Sequence, residues 1–538
     1  MPPAELPPTP AGFQVDARAA LRAADADQKV AAATAGPKRF ETRVEARPED
    51  GRWQVGYFDG DEEVAVVFVD PATGGVKESW TGHQVAWPMA RGYEGQFGHA
   101  LNAPYVWIPL AAIFLFGLLD WRRPWRLVHL DLLVLLSFAL SHVFFNRGEI
   151  GMSVPLAYPP LLYLLARTLW IGFRAAAAGD RLRPSAPVAV LAVATGFLLV
   201  FRITLNIADS GVIDVGYAGV IGADRIAAGE PLYGEGAFPD DNPTGDTYGP
   251  ASYFAYVPFE LALPWSGEWD GLPAAHAAAI FFDLTTVAGL FFLGGRLRPA
   301  GGGELWPQGE GRALGVVLAF AWAAYPYTAL ALQSNSNDAL VAAAIVWALV
   351  GFGSPWARGA LLGVAALVKF APLALVPLFA AGRRGLLDRL RPEGERRFRI
   401  ESGLRPVVAF GATLALVTAL LLAHPAIEPG LATFWERTIE NQLDRESPFS
   451  VWGQEPSLGW LRAIPAAGAV GLALAVALVP SRRSLSRVAA LAAATLIASQ
   501  LAVEHWFYLY LPWFFALVVA AIAGVEDEPA RTNEVRPG

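Results

Sequence analysis

The sequence predicts an all-α polytopic membrane protein of about 12 transmembrane helices, with a small N-terminal α+β extramembrane domain. Three observations predict it. The 538 residues are 54% hydrophobic and only 17% charged, where a soluble chain carries about a quarter charged residues. From Pro104 onward the charges cluster between apolar runs, each near the ~20 residues that cross about 30 Å of hydrocarbon. The first hundred residues have no such run and carry short strand-like patterns instead.

The N-terminal domain is expected over residues 1–100. After a Pro-rich start, for which no signal peptide is expected, residues 14–34 read as one Ala-rich helix. Trp53–Tyr57 and Val64–Val69 read as strands around the acidic turn 59–63. Asp70-Pro-Ala-Thr-Gly-Gly75 is a tight turn into a third strand ending near Trp80.

Three leading helices are expected within 101–186, a helical core over 187–525 and a polar tail at 526–538. Candidate spans are 104–119, 127–145, 154–173, 187–206, 273–294, 311–331, 336–353, 404–423, 461–480, 487–503 and 508–524, with shorter or broken segments at 248–264 and 357–381. The loops at 120–126, 174–183, 296–298, 383–405 and 482–487 are rich in arginine, which predicts one cytoplasmic side. The loops at 207–272 and 424–460 are long, acidic and aromatic, and are expected outside. A single crossing at 357–381 would break this alternation. Lys369 and Pro372 interrupt that segment, and a hairpin of two half-length helices with Lys369 near its tip restores the parity. The same alternation puts the N-terminal domain outside.

Composition excludes several chemistries. The chain has no cysteine, so disulfides and thiolate chemistry are absent. Its seven histidines lack HExxH spacing, and no metal site or other cofactor is expected. A net charge of −8 without a basic aromatic patch gives no reason for a nucleic-acid partner.

The polar residues of the outer loops are the candidates for chemistry. Asp214 and its rival Asp209 are carboxylates able to act as a base, though a loop aspartate is also a common helix cap. Lys369 and His505 suit an anionic phosphate, and equally suit snorkelling or an interfacial belt. Arg202, inside a span, is expensive there and reads either as a phosphate ligand or as a snorkelling side chain. His276 and Asp283 share a helix face and read as a buried structural contact. Arg437, Arg445, Trp452 and Gln454 sit in a loop rich in groups that bind sugars or phosphate.

Several motifs occur in a fixed order: Asp214 followed by Tyr217, then Gly229-Glu-Pro-Leu-Tyr233, Tyr248-Gly-Pro250, Tyr256-Val-Pro258, Asn335-Ser-Asn337-Asp338, Gly359 to Gly363 leading to Lys369-Phe-Ala-Pro372, and Glu504-His505-Trp-Phe-Tyr508. Their order over 187–524 resembles the GT-C superfamily of membrane glycosyltransferases, in its family 87 mannosyltransferase type. The resemblance implies an inverting enzyme that moves a sugar, mannose foremost, from a polyprenyl-phosphate donor to a glycan or glycolipid acceptor. It implies Asp214 as general base, with Asp209 as runner-up. Lys369, His505 and Arg202 would bind the donor phosphate, and Tyr217, Tyr248, Asn335, Asn337, Asp338, Trp452 and Gln454 the sugars. The Ala/Gly/Arg-rich usage points to the cytoplasmic membrane of a high-GC bacterium, with the site facing outward. The N-terminal segment containing Val66 to Trp80 resembles a PepSY-like domain, usually a non-catalytic appendage. A lipid-linked sugar flippase and a non-catalytic scaffold are the competing classes.

Overall fold

The computed structural model describes residues 6–36, 38–48, 50–92, 98–174, 181–299, 306–390 and 398–524. The polar tail expected at 526–538 lies outside them. The chain divides into two units, Met1–Tyr93 with Val143–Met152, and Glu94–His142 with Ser153–Gly538.

The first unit is built on helices α1 (Ala17–Asp25) and α2 (Gln28–Ala33) and a four-stranded antiparallel meander, β1 (Glu41–Arg47), β2 (Arg52–Asp59), β3 (Glu62–Val69) and β4 (Val76–Thr81), in that spatial order. Ala17, Ala20, Leu21 and Ala24 repeat at helical spacing and bury against Trp53, Val55, Val67 and Val69. Trp53 Nε1 donates to Val15 O at 2.9 Å, and the Tyr57 hydroxyl to Asp25 at 2.8 Å, which satisfies the polar ends of both rings. The single helix expected at 14–34 is two helices. Asp27 accepts from the amides of Lys29 and Val30 and from Ser79 Oγ, so it caps a new helix rather than continuing the old one.

The second unit is helical. Among the described residues, seven helices are long and apolar enough to cross a bilayer: Leu127–Asn146, Ile150–Phe173, Val188–Ala208, Pro273–Leu297, Leu404–Leu422, Pro456–Leu478 and Leu485–Ala502. The first two also contribute to the other unit through 143–152. An eighth forms if Gly309–Ala324 and Pro326–Gln333, bent by 59° at Tyr325, count as one span. Shorter apolar helices occupy Pro104–Leu118, Asp338–Val350, Pro355–Val368, Ala371–Ala381 and Tyr508–Ala523. The count of long spans is therefore below the expected twelve, because several apolar runs fold as short or interrupted helices. The 248–264 segment is two small helices, Pro250–Phe254 and Val257–Glu260.

Lys369 ends the helix Pro355–Val368 in an extended conformation. Arg358, near the start of that helix, donates through Nε to Phe379 O at 2.7 Å. A continuous helix would hold residues 358 and 379 about 31 Å apart. The two halves therefore fold back on each other as a hairpin, with Lys369 at its turn.

Two ends of the helical unit are distinct. At one end, arginines donate to the carbonyls that helix C-termini leave open. Arg487 reaches Gly172 O and Phe173 O, and Arg483 reaches Ala477 O and Gly382 O, while Arg126 reaches the loop carbonyl of Arg181. Leu297 and Ser486 meet at Gly524, and Arg384 bridges to Arg482, so all five arginine-rich loops gather here. The helix Val188–Ala208, 21 residues and about 31 Å long, leads to the opposite end. There the segments 209–272, 333–338 and 424–450 meet one another, as in Ile213 N to Ser334 O and Leu232 N to Ala426 O.

Candidate active site

Asp214 opens the helix Asp214–Ala228, where its carboxylate sits at the positive end of the helix dipole and remains exposed. Neighbouring chain fixes that helix start. Asn335, in a left-handed conformation at φ +50°, donates to Ser210 Oγ at 3.0 Å and Gly211 O at 2.8 Å. Its own Oδ1 accepts from Asn206 at 2.8 Å, and Asn206 in turn contacts His276 Nδ1 at 3.0 Å. A Cβ on Gly216 would stand 2.2 Å from Asn335 O, so the helix is pressed against this turn. Asn242 Nδ2 donates to the Asp214 carbonyl at 3.0 Å from farther along the same segment.

Tyr248 is held by two other tyrosines. The Tyr233 hydroxyl donates to Tyr248 O at 2.9 Å, and Tyr248 N donates to the Tyr253 hydroxyl at 3.2 Å. That hydroxyl donates onward to Gly245 O at 2.7 Å. Burial first, and then the charge of Asp214, push the Tyr248 phenol well above its ordinary value. Gly249 lets this loop touch the hairpin, since a Cβ there would stand 2.1 Å from Leu367 O. The contact brings Lys369 Nζ to 4.5 Å from the Tyr248 ring centroid, within cation–π range.

Lys369 lies in the electrostatic field of Asp338, Asp214 and Arg445. Asp338, buried at the start of Asp338–Val350, accepts from Trp513 Nε1 at 3.0 Å, and Trp513 stacks on Tyr510 at 4.3 Å. Tyr510 feels Arg445, Asp338 and Asp214. His505 contacts Ser447 Oγ at 2.9 Å and lies in the field of Arg445 and Lys369. The structure thus brings Asp214, Tyr248, Asp338, Lys369, Arg445 and His505 into one electrostatic neighbourhood. An exposed carboxylate in the neighbourhood of Lys369 and Arg445 can accept a proton while those two cations hold an anion.

The remaining candidates lie elsewhere or hold structure. Arg202 is fully buried, with Nη2 2.7 Å from Asp283 Oδ1 and Nη1 2.9 Å from Trp322 O. Asp209 ends the preceding helix, exposed, and accepts from Ala100 N at 3.0 Å. Asn337 is buried, with Nδ2 2.5 Å from Ser252 Oγ and, among the described residues, no partner for its Oδ1. Trp452 donates to Leu501 O at 3.0 Å, and Gln454 ends the same short helix. Arg437 pairs with Asp246. Tyr217 is buried three residues after Asp214 and stacks on Trp269 at 4.6 Å. Tyr510, Trp513, Asn242 and Trp269 were not singled out from the sequence. Each sits in an aromatic or polar stretch that carries no spacing signal of its own. Among the described residues no group of three histidines or carboxylates is arranged to hold a metal ion.

The profile of glycosyltransferase family 87 matches residues 247–525, just over half of the chain. The chain belongs to glycosyltransferase family 87. No curated protein matches it. The matched stretch of this glycosyltransferase contains Tyr248, Asn335, Asn337, Asp338, Lys369, Trp452, Gln454 and His505. It begins after Arg202, Asp209, Asp214 and Tyr217, so the roles of those four in the family 87 enzyme rest on their geometry and on motif order.

Proposed function

We propose that this family 87 glycosyltransferase moves mannose from a polyprenyl-phosphate donor to a glycan or glycolipid acceptor, with inversion, at the outer face of the cytoplasmic membrane. The observation that carries the reading is the shared electrostatic neighbourhood of Asp214 and Lys369. Asp214 takes the proton of the acceptor hydroxyl as its oxygen bonds to the anomeric carbon. The bond from that carbon to the phosphate oxygen breaks, and its electron pair leaves on the lipid phosphate. Lys369, with Arg445 and His505 nearby, supports the departing anion. Asp338 and Tyr248 orient Lys369 and contribute to binding of the transferred sugar. Asn335 contributes by holding the segment before Asp214. The gathering of arginine loops at the opposite end supports the outward orientation of the site. The N-terminal unit, helix followed by meander, is compatible with a PepSY-like appendage that takes no part in the transfer.

The test gives purified protein a set of labelled polyprenyl-phosphate sugars and mixed glycolipid acceptors. Labelled product is expected from the mannosyl donor, with Asp214→Asn slower by about 10²–10⁴-fold and Asp209→Asn within a few fold of the parent. Unchanged transfer by Asp214→Asn would remove the base assignment. No product from any polyprenyl-phosphate sugar would remove the donor assignment and favour a flippase or scaffold.

A further inference from the structure

We propose that Trp269, backed by Tyr217, is the platform for an uncharged sugar ring of the acceptor, and that the carboxylates around it exclude anionic saccharides. The proposal deepens the reading of Asp214 as the base and rests on it for direction only. The geometry is specific. Tyr217 and Trp269 stack at 4.6 Å with planes 28° apart, and Trp265 meets Tyr217 edge-on at 5.9 Å. Tyr217 is 1% exposed whereas Trp269 is 40% exposed, so the first stiffens the second while the indole stays open. Trp269 Nε1 donates to Val212 O at 3.1 Å, two residues before Asp214. The loop that carries it is braced from within, by Trp265 Nε1 to Glu268 O at 2.9 Å and by Leu272 N to Asp270 at 3.0 Å.

A rigid, half-open indole next to a candidate base suits a pyranose ring, whose C–H face packs on a π face while its hydroxyls point outward. The rim is made of acceptors for those hydroxyls. Asp241 makes a long 3.5 Å contact with the Tyr217 hydroxyl, and Asp241, Asp270 and Glu268 are the charges that act on that phenol. Burial and these carboxylates push the Tyr217 phenol up to about 12, so it stays a neutral hydrogen-bond donor. The amide of Leu272, above all, holds the Asp270 carboxyl below its usual range, and therefore charged. The whole segment 207–272 carries eleven carboxylates against one arginine, Arg225. Like charge brought against such a rim is repelled, and the repulsion weakens as salt screens it. The charges acting on Lys369, by contrast, include Arg445 as well as Asp214 and Asp338. The anionic donor and the acceptor ring are thereby sorted by sign.

The experiment measures binding to the full-length protein without donor, by tryptophan fluorescence and calorimetry, using methyl glycosides of mannose, glucose and galactose and their 6-phosphates. At least one neutral glycoside is expected to bind, and its phosphate at least tenfold more weakly, with the gap closing as salt rises. Trp269→Ala should weaken the neutral ligand tenfold or more, and Trp269→Tyr should restore most of it. The combined change Asp241→Asn, Glu268→Gln and Asp270→Asn should admit the phosphorylated sugar, a gain that misfolding cannot produce. Equal binding of neutral and phosphorylated sugars by the parent, or no effect of Trp269→Ala, overturns the proposal. Because no donor is present, these outcomes are separate from failure of the transfer reaction.

Discussion

Arg437 grips Asp246 with two parallel hydrogen bonds, Nε to Oδ2 at 2.6 Å and Nη2 to Oδ1 at 2.7 Å, across 191 residues of sequence. Asp246 is buried and also accepts from Gly234 N at 3.2 Å. The pair therefore ties the loop that carries Tyr248 to the long loop before the Pro456–Leu478 span. Removing the arginine leaves a buried carboxylate without its partner, a change that costs about 3–5 kcal/mol in comparable sites. Arg437→Ala should lower the melting temperature in detergent by several degrees and cut the transfer rate at least tenfold. Arg437→Lys, which keeps the charge but not the fork, should fall between.

Gly249 is required by space rather than by backbone angle. A single methyl group would meet Leu367 O at 2.1 Å and Leu367 C at 2.6 Å, both backbone atoms with nowhere to go. Gly249→Ala should push the Tyr248 loop off the hairpin and cut transfer tenfold or more. The expected signature is a changed response of the site to Lys369→Arg, measured as loss of additivity in the double variant.

Arg202 and Asp283 form a buried ion pair, and its two members distinguish structure from ligand binding. Arg202→Met alone should destabilise by roughly 3–5 kcal/mol, whereas Arg202→Met with Asp283→Leu should recover most of that stability. If the pair is purely structural, the double variant regains transfer at an unchanged donor KM. A donor KM that stays raised tenfold in the stable double variant would assign Arg202 to the phosphate.

In the N-terminal unit, the amides of Thr73 and Ala72, helped by Lys77, hold the Asp70 carboxyl down to about 2. A depressed carboxylate contributes stability that is present above its unfolded value near 3.9 and is lost as pH falls through the folded value. Amide exchange at Ala72 and Thr73 should therefore stay protected down to about pH 4 and lose protection between 4 and 2. Asp70→Asn should show no such acid transition.

The helices were legible in the sequence because hydropathy over ~20 residues is a bulk property that no single contact overrides. The hairpin was legible for a local reason: Lys369 and Pro372 interrupt an apolar run, and the arginines beyond it demanded even parity. Pairings were not legible. Nothing in the local pattern at Asp246 points to Arg437, and nothing at Asp283 announces Arg202, since each partner is supplied by tertiary packing. In the N-terminal unit, β2 and β3 stood out by their apolar residues, and β4 by the tight turn at Asp70 that leads into it. The edge strand β1 did not, because it is largely polar and buries only Val44. The break between α1 and α2 was hidden for a similar reason, as Asp27 looks like any surface acid until Ser79 is seen beside it.

In the proposed topology the Lys369 hairpin returns to the side from which it leaves, so it contributes no net crossing, and its excision is expected not to invert any later segment. Positions flanking it, such as Ser354 and Arg383, therefore report the same compartment to an impermeant label. A chain with no native thiol is ready for that mapping without prior editing. In the same topology the turn of the hairpin lies toward the far compartment, which makes Lys369 both a charge of the proposed site and the expected marker of which solution that site faces.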